Sequence, residues 1–340
     1  MSKVRIGILR GGPSHEHEVS LLSGAHFLKN VQSDPEYSAT DIFIDKRGVW
    51  HIAGAPKLPI DALQHFDVVV NNLHGNYGED GEVQKLLELS GVPFVGNSVY
   101  PSVTAFNKGI FKRTLSDLGI KTPVYREMNV GITDDLNKIA RELFGSFPLP
   151  AIIKPQTAGS SMGVSVATNY NSLVSALREA ALVSNAILIE EYISGAEIVS
   201  GFVEGLRGQD TYILLPVSIS SDEKRAHLAQ SKLWNGHLDT ISRHMGKYNI
   251  ELPKGLSNEH KKEIEKIIKT VKEHLGMRHY ATFDFIVSPK RGVYLIESDT
   301  SPHLGENSPL LASLKEGGVK VVDFFKHLIQ NTLGFVTNRV

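Results

Sequence analysis

The sequence predicts an α/β protein in which a helix-covered, mostly parallel sheet is followed by two further α/β units. Three features lead to this prediction. The N-terminal third alternates strand and helix patterns, the middle contains a glycine- and serine-rich loop, and the last third contains a β-hairpin that carries carboxylates. A length of 340 residues is sufficient for two or three domains, each with its own hydrophobic core.

Composition excludes several classes of protein. A hydrophobic content of 41% and a charged content of 21% are ordinary for a soluble protein, and a net charge of -1 offers no attraction to nucleic acid or an anionic membrane. The absence of cysteine excludes disulfides, thiolate zinc sites and a cysteine nucleophile. Charges interrupt the N-terminus too early for a signal peptide, and no apolar run reaches the roughly 20 residues of a membrane span. We therefore expect a cytoplasmic protein.

The N-terminal unit is predicted to be a parallel sheet with connecting helices. We expect a strand at residues 4–9, a helix through Val19 and Leu28, and strands at residues 39–44, 67–73 and 93–95. Asp80 is the expected N-cap of a further helix that stops at Gly91. This unit should end near residues 101–107.

Two further units follow in the sequence. The middle one should contain a helix through Ile110 and Leu115, a strand at residues 151–154, a loop at 156–163, a helix capped by Asn171 and a strand at 186–193. The last one should contain strands at residues 198–203 and 211–217, a helix from Ser257 to Gly276, and the carboxylate hairpin. The polar stretch from Ser221 to Asn249 has no clean period, which is typical of a lid or a disordered loop.

The hairpin predicts a metal–nucleotide site. A turn centred near Lys290 and Arg291 places Asp284 opposite Glu297, and Asp299 points to the same face because strand side chains alternate. The opposite, core-facing side should carry Phe283, Phe285 and Ile296. Like charges that face each other destabilise a sheet, but Mg²⁺ binds carboxylates and completes its shell with phosphate and water oxygens. The structural alternative is a solvated acidic strand face.

The loop that begins at Lys154 and ends at Gly163 adds a phosphate-binding pattern. Glycines allow backbone N–H groups to turn toward a phosphate, and serine hydroxyls provide further donors. It is not a Walker loop, because no Gly-Lys-Ser/Thr ends it. Together with the hairpin it favours an ATP–Mg²⁺ site, with Lys108 and Lys154 as phosphate contacts, whereas alone it could be an ordinary flexible connection.

Three more segments suggest ligand contacts at strand ends. Glu190 and Glu197 flank the end of a buried strand, where carboxylates can accept hydrogen bonds from a ribose and the backbone can pair with an adenine edge. Glu16 and His74 follow the first and third predicted strands, at the carboxyl edge where parallel sheets bind ligands. A carboxylate held by a histidine suits an ammonium group, although a capping or core role explains either residue alone.

These motifs together make the chain resemble the D-alanine–D-alanine ligases of the ATP-grasp superfamily over nearly its whole length. The resemblance is carried by residues 11–24, 73–81, 154–163, 188–197 and 297–302, in the family's order and at its spacing. It implies an α/β (α+β ATP-grasp) fold with a Rossmann-like N-terminal domain at residues 1–104, followed by a two-domain ATP-grasp clamp. The central ATP-grasp subdomain would span residues 105–195, and the C-terminal domain residues 196–340 with its lid at 221–249. It also implies a homodimer.

The resemblance further implies a two-step reaction and a role for each matching residue. ATP phosphorylates a carboxylate, and the amine of a second amino acid attacks the acyl phosphate. D-alanine is the leading substrate. Glu16 and His74 would hold the first amine, and Ser308 would lie near the second carboxylate. Lys108, Lys154, Gly159, Ser160, Ser161, Glu190 and Glu197 would contact ATP, with Ser160 linking the loop to the catalytic centre. Asp284, Glu297 and Asp299 would hold Mg²⁺ or Mn²⁺.

Four positions depart from the family pattern. Thr282 stands where the family has an arginine that stabilises the transferring phosphate, and His303 stands where it has a glycine that helps to bind the oxyanion. Ala158 replaces a glutamate, and Lys232 is the weak match to the catalytic lysine of the lid. All four surround the reacting carboxyl and the second substrate, whereas the ATP, metal and first-amine positions are intact.

This distribution leaves three readings open. The first is a D-alanine–D-alanine ligase for peptidoglycan precursor synthesis. The second keeps the chemistry but changes the second substrate to D-lactate, D-serine or another amino acid, with Arg278, His279 or His303 supplying the missing positive charge. The third is a nucleotide-binding paralogue without ligase turnover.

Overall fold

The structure is a computed structural model that describes residues 2–131, 133–159, 162–221 and 248–337. Three predicted site residues, Ser160, Ser161 and Lys232, lie outside the described residues, as does most of the predicted lid, residues 222–247. The described chain forms three sheets in a mixed α/β arrangement. None of the described helices is long and apolar enough to cross a bilayer.

The first sheet is mostly parallel, as predicted. Its strands are β1 (Val4–Gly11), β2 (Tyr37–Ile44), β3 (Trp50–Ile52), β4 (Ala55–Lys57), β5 (Val68–Asn71) and β6 (Phe94–Val95). Their order is β4-β3-β2-β1-β5-β6, and β1 pairs in parallel with both β2 and β5. The connecting helices are α1 (His17–Gln32), α2 (Pro59–Leu63) and α3 (Glu82–Ser90), and α4 (Val99–Phe106) and α5 (Lys108–Asp117) lead from this sheet to the second one.

Helices cover both faces of this sheet, which explains why its central strands are apolar without alternation. On one face, Val68 and Val70 of β5 lie in a core with Phe27 of α1 and with Phe324 and Phe325 from the C-terminal helix. The other face packs against α2 and α3. Because β1 and β5 are parallel neighbours, their carboxyl ends meet at one edge of the sheet.

The second sheet is antiparallel and is backed by two helices. Its strands β7 (Tyr125–Asn129), β8 (Ala151–Pro155), β9 (Ser165–Ala167) and β10 (Ala186–Glu191) run in the order β7-β10-β8-β9. Helices α6 (Leu136–Ser146) and α7 (Tyr170–Ala181) bury one face of the sheet. The other face is left for Lys154 and Glu190.

The third sheet contains the carboxylate hairpin. Its strands are β11 (Ala196–Val203), β12 (Tyr212–Ile213), β13 (Val217–Ser221), β14 (Tyr248–Glu251), β15 (Tyr280–Ser288) and β16 (Gly292–Asp299). The order is β14-β13-β11-β15-β16, with β12 beside β11. The remaining helices are α8 (Asn258–Leu275), α9 (Pro309–Glu316) and α10 (Val321–Thr337). Helix α8 begins after the N-cap Ser257 and ends at the left-handed Gly276, both as predicted.

Two predicted helix caps are wrong, for local reasons. Gly81, in the left-handed region, occupies the N-cap position of α3, whereas the Asp80 carboxylate accepts hydrogen bonds from the N–H groups of Tyr77 and Glu82. Asn169, not Asn171, caps α7 through a capping box with Ser172. The strand predicted at residues 211–217 is divided into β12 and β13.

The predicted register of the hairpin is confirmed, but a bulge produces it. Asp284 pairs with Glu297, and Thr282 pairs with Asp299. Ser288 pairs with Gly292, whereas a turn centred on Lys290 and Arg291 would pair it with Val293. A bulge between Asp284 and Phe285 shifts the register by one residue and restores the predicted pairing of Asp284 with Glu297. The bulge also corrects one prediction: Ile296 faces the cavity, and Leu295 takes the expected place in the core with Phe283 and Phe285.

Candidate active site

A cavity of about 960 Å³ is lined by residues of the second and third sheets, and by residues of α1 and of the loops that follow β1 and β5 in the first sheet. The predicted site residues in its wall are Glu16, Lys108, Lys154, Gly159, Glu190, Glu197, Asp284, Glu297, Asp299, His303 and Ser308. Residues more than 290 positions apart in sequence therefore face one space, as Glu16 and Ser308 show. His74 lies just behind the wall, next to Glu79, which lines the cavity.

Glu16 joins the first sheet to the glycine-rich loop. It precedes α1 and lies at the carboxyl edge of β1, next to the loop that follows β5. A Cβ atom on Gly75 would come within 2.6 Å of its Oε2 atom, and a Cβ on Gly159 would overlap the same oxygen. The two glycines therefore let both loops close around the carboxylate that was predicted to bind the first amine.

His74 and Glu79 form a buried pair beside Glu16. The His74 Nδ1 atom lies 3.4 Å from the Glu79 Oε1 atom, and the histidine side chain is 4% exposed. Burial lowers the pKa of His74, so the imidazole is neutral. Burial also raises the pKa of Glu79 to about 7. The sequence interpretation gave Glu79 no role, although it lies inside the motif at residues 73–81 that carried the resemblance.

The acidic hairpin face points into the cavity. Burial, reinforced by the charge of Glu79, raises the pKa of Asp299 well above its usual range. The Lys108 Nζ atom lies 3.8 Å from the Glu297 Oε2 atom. Among the described residues, no three carboxylate or imidazole groups converge closely enough to hold a metal ion by themselves. A cation here would therefore depend on ligands from a bound phosphate or water, as Mg²⁺ commonly does.

Two lysines, Lys108 and Lys154, line the part of the cavity next to the glycine-rich loop. Lys108 donates a hydrogen bond of 2.8 Å to the carbonyl oxygen of Ala158, at the start of the glycine-rich loop. The Lys154 Nζ atom lies 2.9 Å from the Glu190 Oε1 atom, and Lys112 reaches the same oxygen at 3.0 Å. Burial opposes the charge of Glu190, but both lysines counter it and hold the pKa below its usual value. Sequence reasoning did not identify Lys112, because a lone helical lysine resembles solvated surface.

The three residues suggested as replacements for the missing arginine have different positions. The Arg278 Nε atom donates a 2.9 Å hydrogen bond to the Gly96 carbonyl, and its guanidinium lies over the ring of Phe94. His279 accepts a 3.0 Å hydrogen bond from the Gly96 N–H. Neither residue lines the cavity, and both are bound to Gly96 beside the first sheet. His303 does line it, with its ring centroid 6.5 Å from that of His74.

Ser308 has a structural role in addition to its predicted one. It is the N-cap of α9, and its Oγ atom accepts a 3.1 Å hydrogen bond from the Leu311 N–H. The residue is 1% exposed, and its side chain lies at the cavity wall. It therefore places the first turn of α9 against the cavity.

The fold and the cavity define the class of the protein. A Rossmann-like sheet followed by two antiparallel sheets, with lysines and carboxylates from all three parts of the chain facing one cavity, is the ATP-grasp ligase arrangement. The sequence-family model described as the D-ala D-ala ligase C-terminus matches residues 114–330. The family model described as the D-ala D-ala ligase N-terminus matches residues 5–61 and 55–97. The chain therefore belongs to the D-alanine–D-alanine ligase family.

Individual relatives and solved structures are similar to this chain over almost its whole length. The D-alanine–D-alanine ligase of Geobacter sulfurreducens is 31% identical over 330 residues, which cover 97% of this chain and 94% of that protein. The structure of D-alanyl-alanine synthetase A from Vibrio cholerae superposes with a TM-score of 0.81 at 24% identity, covering 98% of this chain and 99% of that one. The D-alanine–D-alanine ligase of Bacillus anthracis complexed with ATP gives 0.76 at 25% identity, covering 99% and 100%.

Proposed function

We propose that the protein is an ATP-dependent ligase that joins two D-alanine molecules into D-alanyl-D-alanine. The observation that carries this proposal is the single cavity in which Glu16, the lysines Lys108 and Lys154, and the acidic face of the hairpin meet. An ammonium group, a triphosphate and a cation would each find complementary charge there. Membership of the family supports the same reaction.

The chemistry consists of two displacements. A carboxylate oxygen of the first D-alanine attacks the γ-phosphorus of ATP, so that an acyl phosphate forms and ADP leaves. The amine of the second D-alanine then attacks the acyl carbon, loses a proton, and expels inorganic phosphate as the peptide bond forms. Glu16 would hold the first ammonium, with the neutral His74 supporting it, and Lys108 and Lys154 would attract the phosphates.

Mg²⁺ or Mn²⁺ would be held by Asp284, Glu297 and Asp299, together with phosphate oxygens. When bound, the cation would neutralise charge on the triphosphate. The donor set suits a hard dication, since all three side chains offer carboxylate oxygens to the cavity. Burial, with the charges of Glu79 and Glu16 adding to the effect, raises the pKa of Asp299, so a cation bound beside this carboxylate would favour its charged form.

The reacting carboxyl lacks the family's arginine in this proposal. Thr282 is 6% exposed and pairs with Asp299, so no guanidinium extends into the cavity from this position. His303 is the imidazole that faces the cavity nearby, next to His74. We propose that turnover is slower than in relatives that retain the arginine, because a transition-state donor of this kind is commonly worth on the order of 10²–10³ in rate.

The cellular setting follows from the proposed product. D-alanyl-D-alanine would enter peptidoglycan precursor synthesis, and the enzyme would be a cytoplasmic homodimer. Support comes from the family assignment.

A substrate panel tests this function. Purified protein is given ATP, Mg²⁺ and pairs of D- and L-amino acids or hydroxy acids, while phosphate release and the ligated products are measured. We expect release that depends on D-alanine, with the dipeptide as product. Release only with another pair would transfer the function to a different second substrate. Binding of ATP without release from any pair would contradict the ligase proposal.

A further inference from the structure

Three buried charged side chains meet at the floor of the cavity. Lys112 and Lys154 share one oxygen of Glu190, at 3.0 Å and 2.9 Å. The three side chains are 1%, 5% and 3% exposed, respectively. Lys112 also donates a hydrogen bond to the hydroxyl of Thr122. Such complete burial of two ammonium groups around one carboxylate is costly unless each charge is matched.

The fold explains how the three residues come together. Lys154 pairs with Leu188 across the ladder between β8 and β10, so Glu190, two residues further along β10, is its diagonal neighbour on the same face. Lys112 reaches this face from α5, which also packs Phe111 and Leu115 into the third sheet's core. Lys154 and Glu190 line the cavity, whereas Lys112 lies behind them.

The charges in this group do not cancel. Lys154 and Glu190 alone would form a neutral pair with little attraction for a triphosphate. Burial lowers the pKa of Lys112 to about 8, with Glu190 opposing and Lys154 adding to the effect, so Lys112 is protonated at pH 7. The group then carries one net positive charge in a region of low dielectric, where a charge acts more strongly than at the surface.

We propose that Lys112 is a positioning residue for ATP. Lys112 shares the Glu190 carboxylate with Lys154, so that the Lys154 ammonium presents uncompensated positive charge to the phosphates. The proposal rests on the proposed function, since it requires ATP in the cavity. Lys112 itself touches no substrate. Its contribution should therefore appear in the affinity for phosphorylated ligands and not in the recognition of the nucleoside.

Calorimetric binding of ATP, ADP and adenosine to Lys112→Met tests the proposal. In this variant the Lys154–Glu190 pair that remains is neutral. The affinity for ATP should therefore fall by roughly ten- to hundredfold, which corresponds to the loss of one charge-assisted contact. Adenosine should bind as it does to the wild type. In kinetics the KM for ATP should rise by the same factor, with a smaller change in kcat. Equal affinity of the variant and the wild type for ATP would overturn the proposal.

A double variant and a control make the test specific. Lys112→Met combined with Glu190→Gln restores one net positive charge, so the affinity for ATP relative to that for adenosine should recover from its value in Lys112→Met. A merely structural role for Lys112 predicts a further loss. Lys272→Met removes another poorly exposed lysine, which pairs with Glu204 away from the cavity, and should leave ATP affinity unchanged. Absence of ATP binding by the wild-type protein would instead contradict the proposed function.

Discussion

At the scale of single residues, Gly159 is required by space and not by backbone conformation. Its φ lies outside the left-handed region, so an alanine could adopt the same backbone. A Cβ atom would nevertheless overlap the Glu16 carboxylate, on which the first amine depends. The glycine pattern of the sequence predicts a loop whose backbone N–H groups turn toward a phosphate. The structure adds a reason that the loop sequence alone does not contain.

Gly159→Ala should therefore lower activity with little effect on stability. We expect kcat/KM for the first amino acid to fall by about 10²-fold, because a displacement of roughly 1 Å of a positioning group costs that much. Steady-state kinetics with D-alanine measures it. Gly145→Ala on α6 is the control, since no atom lies within 4 Å of the Cβ it adds. Equal activity of Gly159→Ala and the wild type would show that Glu16 tolerates the displacement.

His279 predicts a pH dependence of stability. It is 2% exposed, and burial, with Arg278 adding to the effect, lowers its pKa to about 3, whereas the unfolded chain titrates near 6.5. Between these values the unfolded state binds more protons, so the free energy of unfolding falls as the pH falls from about 6.5 toward 3. The loss should be on the order of 1 kcal/mol for each pH unit.

Denaturant unfolding at several pH values measures this loss. His279→Asn keeps an acceptor and tolerates the φ of 59° at this position, so the variant should show a shallower decline in acid. His65→Asn, at an exposed position, should retain the wild-type slope. Identical slopes for His279→Asn and the wild type would remove His279 as the source.

At the scale of elements, the hairpin shows what the sequence could and could not predict. The turn centre predicted that Asp284 lies opposite Glu297, and strand alternation predicted that Asp299 lies on the same face. The bulge was not predictable. Ile296 is apolar and suits either face, so the sequence does not indicate that Ile296 faces the cavity while Leu295 lies in the core. Helix caps failed for a similar reason, since Asp80 and Asn171 each have another good cap residue nearby.

The bulge gives Ile296 a role in the cavity that can be tested. It packs with Ile193 and Ile286 in an apolar wall of the cavity, next to the strand end predicted to pair with the adenine. Ile296→Ala should weaken ATP and adenosine binding by a similar factor, roughly tenfold, since the lost contact is apolar and ignores the phosphates. Calorimetry with both ligands distinguishes this pattern from that of Lys112→Met.

The matched control for this truncation is Ile267→Ala, which lies in the core on α8 and not in the cavity wall. It should lower the free energy of unfolding by about 2–5 kcal/mol and leave adenosine affinity unchanged. If Ile296→Ala bound adenosine like the wild type, the apolar wall would not contact the base.

At the scale of the whole molecule, the site depends on contacts that periodicity cannot reveal. Asn97, just after the first sheet, donates hydrogen bonds to the carbonyls of Tyr280 and Thr300 and accepts one from the Arg278 N–H. These residues lie about 180–200 positions further along the chain. Local patterns predicted each unit, and the family resemblance predicted that they share one site. The particular groups that join them, and Lys112 and Glu79 among the site residues, emerge only from the tertiary structure.

Asn97→Asp tests whether this joint supports the fold and the site together. Asn97 is 2% exposed, and the aspartate keeps its shape while replacing two donated hydrogen bonds of 3.0 Å and 2.9 Å with an oxygen that faces carbonyl oxygens. Each buried carbonyl left without a donor costs about 1–3 kcal/mol, so the free energy of unfolding should fall by about 3 kcal/mol or more. Because Thr300 follows Asp299 directly, ligase activity should also fall under conditions in which the variant is still folded.

Denaturant unfolding and kinetics on one preparation measure both effects, with Asn137→Ala at an exposed position of α6 as the control. A loss below about 1 kcal/mol would mean that the hydrophobic core under the first sheet, and not Asn97, holds the units together.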